Sequence, residues 1–214
     1  MGRILKGILG GFRGTVGTVV GSSWRGIDYI RSKSASRNST PSEKQLEQRA
    51  KFKMVSDFLN TISGLLKVTF ASFAVNQTAR NHALAYTLEN AVTGIYPNVS
   101  LDFSQVLVAR GSKLPNASNV AASSAAAGKV TYNWLDNSGI GGATATDKAI
   151  MVVHCPELKQ TVYNMAGPAR NALTGELNVP EFAGKQVHSW LSFITEDGKH
   201  VATSLYTGSM NVAA

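Results

Sequence analysis

Lys129-Val-Thr-Tyr-Asn-Trp134 is the stretch that decides the fold. Val130, Tyr132 and Trp134 point one way and Lys129, Thr131 and Asn133 the other, the period of two expected of a half-buried strand. The same period returns in Leu173, Leu177 and Val179, and again in Val187, Leu191 and Phe193. Glu196-Asp-Gly-Lys199 joins two such runs, and Asp-Gly is a strong hairpin signal because it accepts the positive φ of a tight turn. Strands are expected at Lys129–Leu135, Lys148–Cys155, Gln160–Met165, Leu173–Val179, Gln186–Thr195 and His200–Tyr206. The Gly-rich loop Asn137–Thr146 and the turn Ala166-Gly-Pro168 divide them, and Asn116–Gly128 holds a first strand or a loop leading into it. About seven short strands over roughly 100 residues predict a small β-sandwich.

Upstream, the pattern changes. Residues 1–21 form a Gly-rich arm with β-branched residues between the glycines, as in Gly14-Thr-Val-Gly17-Thr-Val-Val-Gly21. Dense glycine makes such an arm costly to order, so it stays mobile or is ordered against other backbone. Val19–Trp24 and Ile27–Arg31 pair as a hairpin across Arg25-Gly26, with Trp24 and Tyr29 as large apolar payloads for a surface element. A polar, basic linker, Ser32–Thr40, follows.

Thr40-Pro-Ser-Glu43 signals a helix start, with Thr40 as N-cap, Pro41 at the first helical position and Glu43 closing a capping box. Leu46, Ala50, Val55, Phe58, Leu59 and Ile62 then mark one apolar stripe. Gly64 ends or bends this helix before a strand-like Leu65–Phe70. A second helix over Gln77–Val92, stopped by Gly94 and Pro97, precedes a strand over Leu101–Val108.

Composition narrows function. The 214 residues are 43% hydrophobic and only 16% charged, enough to fold almost throughout. Residues 1–53 hold eleven Lys or Arg against three Asp or Glu, so the whole net charge of +8 is N-terminal. That asymmetry predicts a polyanion or an acidic partner surface, against the simpler reading of a solvated arm. Cys155 is the only cysteine, which rules out an internal disulfide or a CxxC pair, and its apolar run marks it as a buried hydrophobe. Gly7–Gly21 lacks the continuous apolar core of an export signal, and no stretch has the ~18 apolar residues of a membrane span. Cytoplasmic synthesis is expected, with a virion or an assembled filament as the destination.

Chemistry leaves little trace. His82, His154, His188 and His200 share no metal-ligand spacing, although His188 and His200 could meet across the final hairpin. No Gly-x-Ser-x-Gly elbow or P-loop is present. Asp136 and Asp147 flank the Gly-rich loop and are weighed as calcium ligands against the commoner role of turn-formers. The expectation is no enzyme, no cofactor and no metal.

Two resemblances rest on these residues. Lys129–Trp134 looks like the second strand of a fibronectin type III module, and Ala172–Gly175 through Phe193–Gly198 looks like that fold's last three strands. The usual tyrosine of the sixth strand is replaced by His188 and Trp190, and an Ig-like relative is an equal label. Over its length the chain resembles a Bacteroidota protein family of about 200 residues, a domain of unknown function. The matching stretches are Met1–Gly10, Val20–Arg31, Gln48–Phe52, Asn90–Gly94 and the closing Glu196-Asp-Gly198. This resemblance implies a bacterial or phage origin and no activity. The expected class is α+β: a basic arm and β-hairpin (1–37), a helical region with flanking strands (38–112), and an Ig-like/fibronectin type III-like β-sandwich (113–214).

Two functions fit. In the first, the arm adds to a neighbouring copy, giving a homo-oligomeric structural subunit of a phage virion or filament. In the second, the basic N-terminal region binds nucleic acid through phosphates, with aromatics available to stack. The contact residues for either are Arg13, Trp24, Arg25, Tyr29, Arg31, Lys33, Arg37 and Arg49.

Overall fold

The structure, a computed structural model, describes residues 3–4, 11–24, 26–34, 40–74 and 77–214. It is an α+β protein that divides into two compact units, residues 1–42 and 43–214.

The first unit is a four-stranded antiparallel sheet in the order β1 (Arg3–Ile4), β2 (Phe12–Val16), β3 (Val19–Trp24), β4 (Ile27–Ser32). The expected hairpin is therefore formed, with Trp24 opposite Ile27 and Ser22 opposite Tyr29. Gly17 takes the left-handed φ of a turn (58°), whereas Gly21 serves close approach. Gly21 lies so near Phe12 that a Cβ there would sit 2.1 Å from the Phe12 carbonyl oxygen.

The second unit has three layers. One sheet runs β11 (Thr174–Asn178), β8 (Lys129–Leu135), β7 (Ser118–Ser123). The other runs β10 (Gln160–Asn164), β9 (Lys148–Cys155), β12 (Gln186–Ile194), β13 (Leu205–Asn211). Val130, Tyr132 and Trp134 of β8 meet Met151, Val153 and Cys155 of β9 and Leu191 and Phe193 of β12 in one core between the sheets. The alternate residues Ile150, Val152 and Trp190 form a second core against the helices α1 (Glu43–Thr61), α2 (Ser63–Thr69) and α3 (Ala79–Asn90). β9 is covered on both faces, which is why its sequence is an almost unbroken apolar run. The second core also joins residues of the 43–112 stretch to residues of 113–214. From Glu43 on they share one compact unit.

α1 buries Val55, Phe58 and Leu59 of the expected stripe and begins at Glu43, so Ser42 instead of Thr40 precedes it. Arg80 of α3 bonds Ser56 Oγ (2.7 Å) and Asn60 Oδ1 (2.8 Å), tying α3 to α1. Of Leu65–Phe70, expected as a strand, all but the last residue belongs to helix α2. Its buried residues Leu65, Leu66 and Thr69 follow helical spacing, and Thr69 Oγ1 donates back to the Leu65 carbonyl. Gly64 permits the close approach of Tyr163, whose hydroxyl would lie 2.7 Å from a Cβ.

Leu101–Val108 is not a strand either. A hairpin of β5 (Val92–Ile95) and β6 (Asn98–Leu101) ends there, and Asp102 caps a 3₁₀ turn at Phe103–Gln105 by accepting from Ser104 N (3.0 Å). Val108 N then bonds the Ser204 hydroxyl (3.0 Å) and Arg110 N the Thr69 carbonyl (3.2 Å), so this backbone is satisfied without a ladder. β5 also takes Val92 from the expected second helix, which ends at Asn90.

The remaining strands lie close to expectation, with two differences. Leu173 adopts a left-handed conformation (φ 63°) and is exposed, so only Leu177 of the expected trio lies within a strand. His200–Tyr206 forms isolated bridges at 201 and 202, and the last strand begins at Leu205.

Candidate functional site

The register of β3 and β4 places Val20, Ser22, Trp24, Ile27, Tyr29 and Arg31 on one face of the N-terminal sheet. Three of the expected contact residues, Trp24, Tyr29 and Arg31, are thereby brought together. Trp24 is 47% exposed, Ile27 65% and Tyr29 44%, and every residue of β4 is exposed. Arg13 on β2, Arg31 on β4 and Lys33 just beyond it are exposed and form no ion pair among the described residues. Lys33 N donates to the Thr18 carbonyl at 2.7 Å, closing the end of the ribbon. Arg49 lies on α1, in the other compact unit. Arg25 and Arg37 lie outside the described residues. β4 is the last strand in its sheet order, so its outer backbone groups face away from β3.

The second unit carries a cleft of about 560 Å³ among α1, β6, the turn after it and the β9–β10 connection. Phe58, Phe103 and His154 line it, with Met54 and Leu101 as further apolar walls and Lys53, Asp57 and Lys159 at its polar margin. The His154 ring is edge-on to Phe58 (4.9 Å) and tilted on Phe103 (5.4 Å). Its Nδ1 is 2.8 Å from Thr161 Oγ1, which is 2.6 Å from Thr61 Oγ1, which donates to the Phe58 carbonyl at 2.7 Å. Burial pushes the His154 pKa down to about 4, and the neighbouring His188 adds to the shift. The ring is therefore neutral at physiological pH.

His188 stands across from His154 on β12, stacks on Phe103 at 4.1 Å and shares a 2.8 Å hydrogen bond with the Tyr206 hydroxyl. It does not meet His200, whose carbonyl accepts from Thr195 N inside the final turn. Burial lowers the His188 pKa despite Asp102 nearby.

The flanking aspartates of the Gly-rich loop have structural roles. Asp136 accepts from Ser138 N at 2.9 Å, an ordinary turn. Asp147 is fully buried and paired with fully buried Arg170 (Nε–Oδ2 3.1 Å). Arg170 also bonds Asn137 Oδ1 (2.7 Å) and the Pro115 carbonyl (3.1 Å) and lies 4.1 Å over the Phe193 ring. Among the described residues no group of three or more His, Cys, Asp or Glu is placed to hold a metal ion. No described helix is long and apolar enough to cross a membrane.

The His154–Thr161 contact went unrecognised in the sequence, although a signal for it exists. Pro156–Lys159 makes a four-residue connection, and counting back from it sets Cys155 opposite Gln160 and His154 opposite Thr161. The Arg170 network has no comparable local signal, because its partners lie 23 to 55 residues away. Residues 11–208 match the model of a Family of unknown function (DUF6266), and the chain belongs to that family. No curated protein matches it.

Proposed function

We propose that this member of the family is a non-enzymatic structural subunit that self-assembles through its N-terminal sheet, as a phage virion component or filament subunit does. One observation carries the reading. Among the described residues of the first unit only Gly21 is buried, while Trp24, Ile27, Tyr29 and Ile30 are largely exposed. Units of about 40 residues usually need a disulfide, a metal or association to be stable. This one has no cysteine, and a second copy that pairs with the β4 edge or covers the Trp24–Tyr29 face would supply the missing layer. The bacterial or phage origin implied by the resemblance fits such a subunit.

The sheets of residues 113–214 are, in this proposal, an Ig-like/fibronectin type III-like sandwich. Counted from β7, strands 1, 2 and 5 share one sheet and strands 3, 4, 6 and 7 the other. That differs from the constant-type Ig division only in the sheet of the fourth strand.

Light scattering on the full chain after size exclusion tests assembly. The expected mass is a multiple of one chain, reduced to a single chain by the pair Ile27→Lys and Tyr29→Lys. A single-chain mass at every concentration would overturn the proposal. The grouping of Trp24 and Tyr29 with Arg31 supports a second reading, nucleic-acid binding. A monomer that binds single-stranded nucleic acid, with affinity falling steeply as salt rises, would select it.

A further inference from the structure

We propose that the cleft beside α1 binds a small amphipathic anion. An apolar body carries a hydroxyl or N–H donor that bonds His154 Nε2 and a carboxylate that lies near Lys53 and Lys159. The donor requirement comes from the order of protons behind the ring. The Phe58 carbonyl can only accept, so the Thr61 hydroxyl donates to it. A threonine hydroxyl has one proton, so Thr161 must be the donor in its 2.6 Å contact with Thr61. Thr161 then has only a lone pair for His154, and Nδ1 of the neutral ring carries the hydrogen. Nε2 is left as an acceptor that takes no side-chain hydrogen bond among the described residues, the Gln160 backbone being the only other polar group bonded to the ring, on a side chain that lines the cleft and is 4% exposed. An unpaired acceptor in an apolar site favours a ligand that brings a donor over one that does not.

Size and charge complete the class. The volume lies within the range of small-molecule sites, and Met54, Phe58, Leu101 and Phe103 offer apolar walls. Lys53 and Lys159 are in no ion pair among the described residues, whereas Glu157, the carboxylate of the same turn as Lys159, is already taken by Lys185. Asp57 shares the margin and opposes an anion, but the two lysines outnumber it. One negative charge is therefore preferred to none.

The full chain, with isotope-labelled histidine, provides the test. Proton–nitrogen correlation at neutral pH should show His154 neutral with its proton on Nδ1, and a proton on Nε2 would overturn the donor requirement. Added 3-(4-hydroxyphenyl)propanoate should shift the His154 Nε2 resonance and saturate. 3-Phenylpropanoate, lacking the donor, and 3-(4-hydroxyphenyl)propanamide, lacking the charge, should each bind about tenfold more weakly. Ala50→Trp, which fills the cleft from a half-buried helix position, should abolish the shift while the amide spectrum stays dispersed. Equal binding of all three compounds, or no saturation by about 10 mM, would overturn the proposal. Assembly is a separate matter, since the Ile27→Lys, Tyr29→Lys pair should bind the probe as the unaltered chain does.

Discussion

β4 and β12 are both antiparallel strands with large apolar side chains, and their surroundings differ. All six residues of β4 are exposed, whereas seven of the nine in β12 are buried between a second sheet and the helices. β12 is laddered on both sides, to β9 and β13, and β4 on one side only, to β3. A ladder bond adds only about 1 kcal/mol net, so the larger difference is covered apolar surface, which β12 finds within its own chain. Under the proposed function, a second copy covers β4.

The largest effect should follow from removing that difference. A chain of residues 43–214 keeps both cores intact. It should be monomeric and unfold in one cooperative transition, with Tm within a few degrees of the main transition of the full chain. Scattering mass and calorimetry check this together. Persistent oligomers of the shortened chain would place association outside the N-terminal sheet.

Inside the covered unit, the next largest effect belongs to Arg170. Arg170→Met leaves Asp147 buried without its cation and should cost about 3–5 kcal/mol in urea unfolding. Adding Asp147→Leu should recover much of that loss, because the stranded charge is gone. No change in the scattering mass is expected, since both residues lie in the second unit.

Legibility follows the same division between local and distant causes. Strands such as Lys129–Leu135 were visible because period two persists wherever one face is buried. Leu65–Phe70 misled because a short apolar run fits a strand or a buried helix equally until its covering layer is known. Leu101–Val108 misled because Val106 closes a local turn on Phe103 and Val108 is held by Ser204, nearly 100 residues on, and not by a neighbouring strand. The placement of Trp24, Tyr29 and Arg31 on one face follows from an Arg-Gly turn and local pairing alone. The cleft went unseen because α1, β6 and β9 converge from three separate parts of the sequence.

Acid should separate the units next. His154 has an ordinary pKa of 6.5 when unfolded and about 4 when folded, so the unfolded chain gains a proton first as pH falls. The stability this adds is complete above about pH 7 and declines between 6.5 and 4, by up to about 3 kcal/mol. His188, also lowered by burial, acts in the same direction. His154→Gln should flatten the slope of unfolding free energy between about pH 6.5 and 5. The N-terminal sheet contains no histidine, so the scattering mass should hold constant across that range.

The smallest effect gives the closest control. Ile27 and Ile140 are each 65% exposed, one on β4 and the other at the tip of the Gly-rich loop. Exposure alone predicts that Ile→Ser at either costs within about 0.5 kcal/mol. Gly139 and Gly141 flank Ile140, and its backbone closes a turn by accepting from Ala143 N (3.0 Å). Ile27 lies instead on a face with Trp24 and Tyr29, and contiguous apolar area, unlike a scattered side chain, marks a contact surface. Ile140→Ser should therefore leave both Tm and mass unchanged, while Ile27→Ser leaves the main unfolding transition in place and raises the concentration at which the chain associates. If the two variants associate alike, matched exposure is all that Ile27 offers, and the face it shares is an ordinary surface.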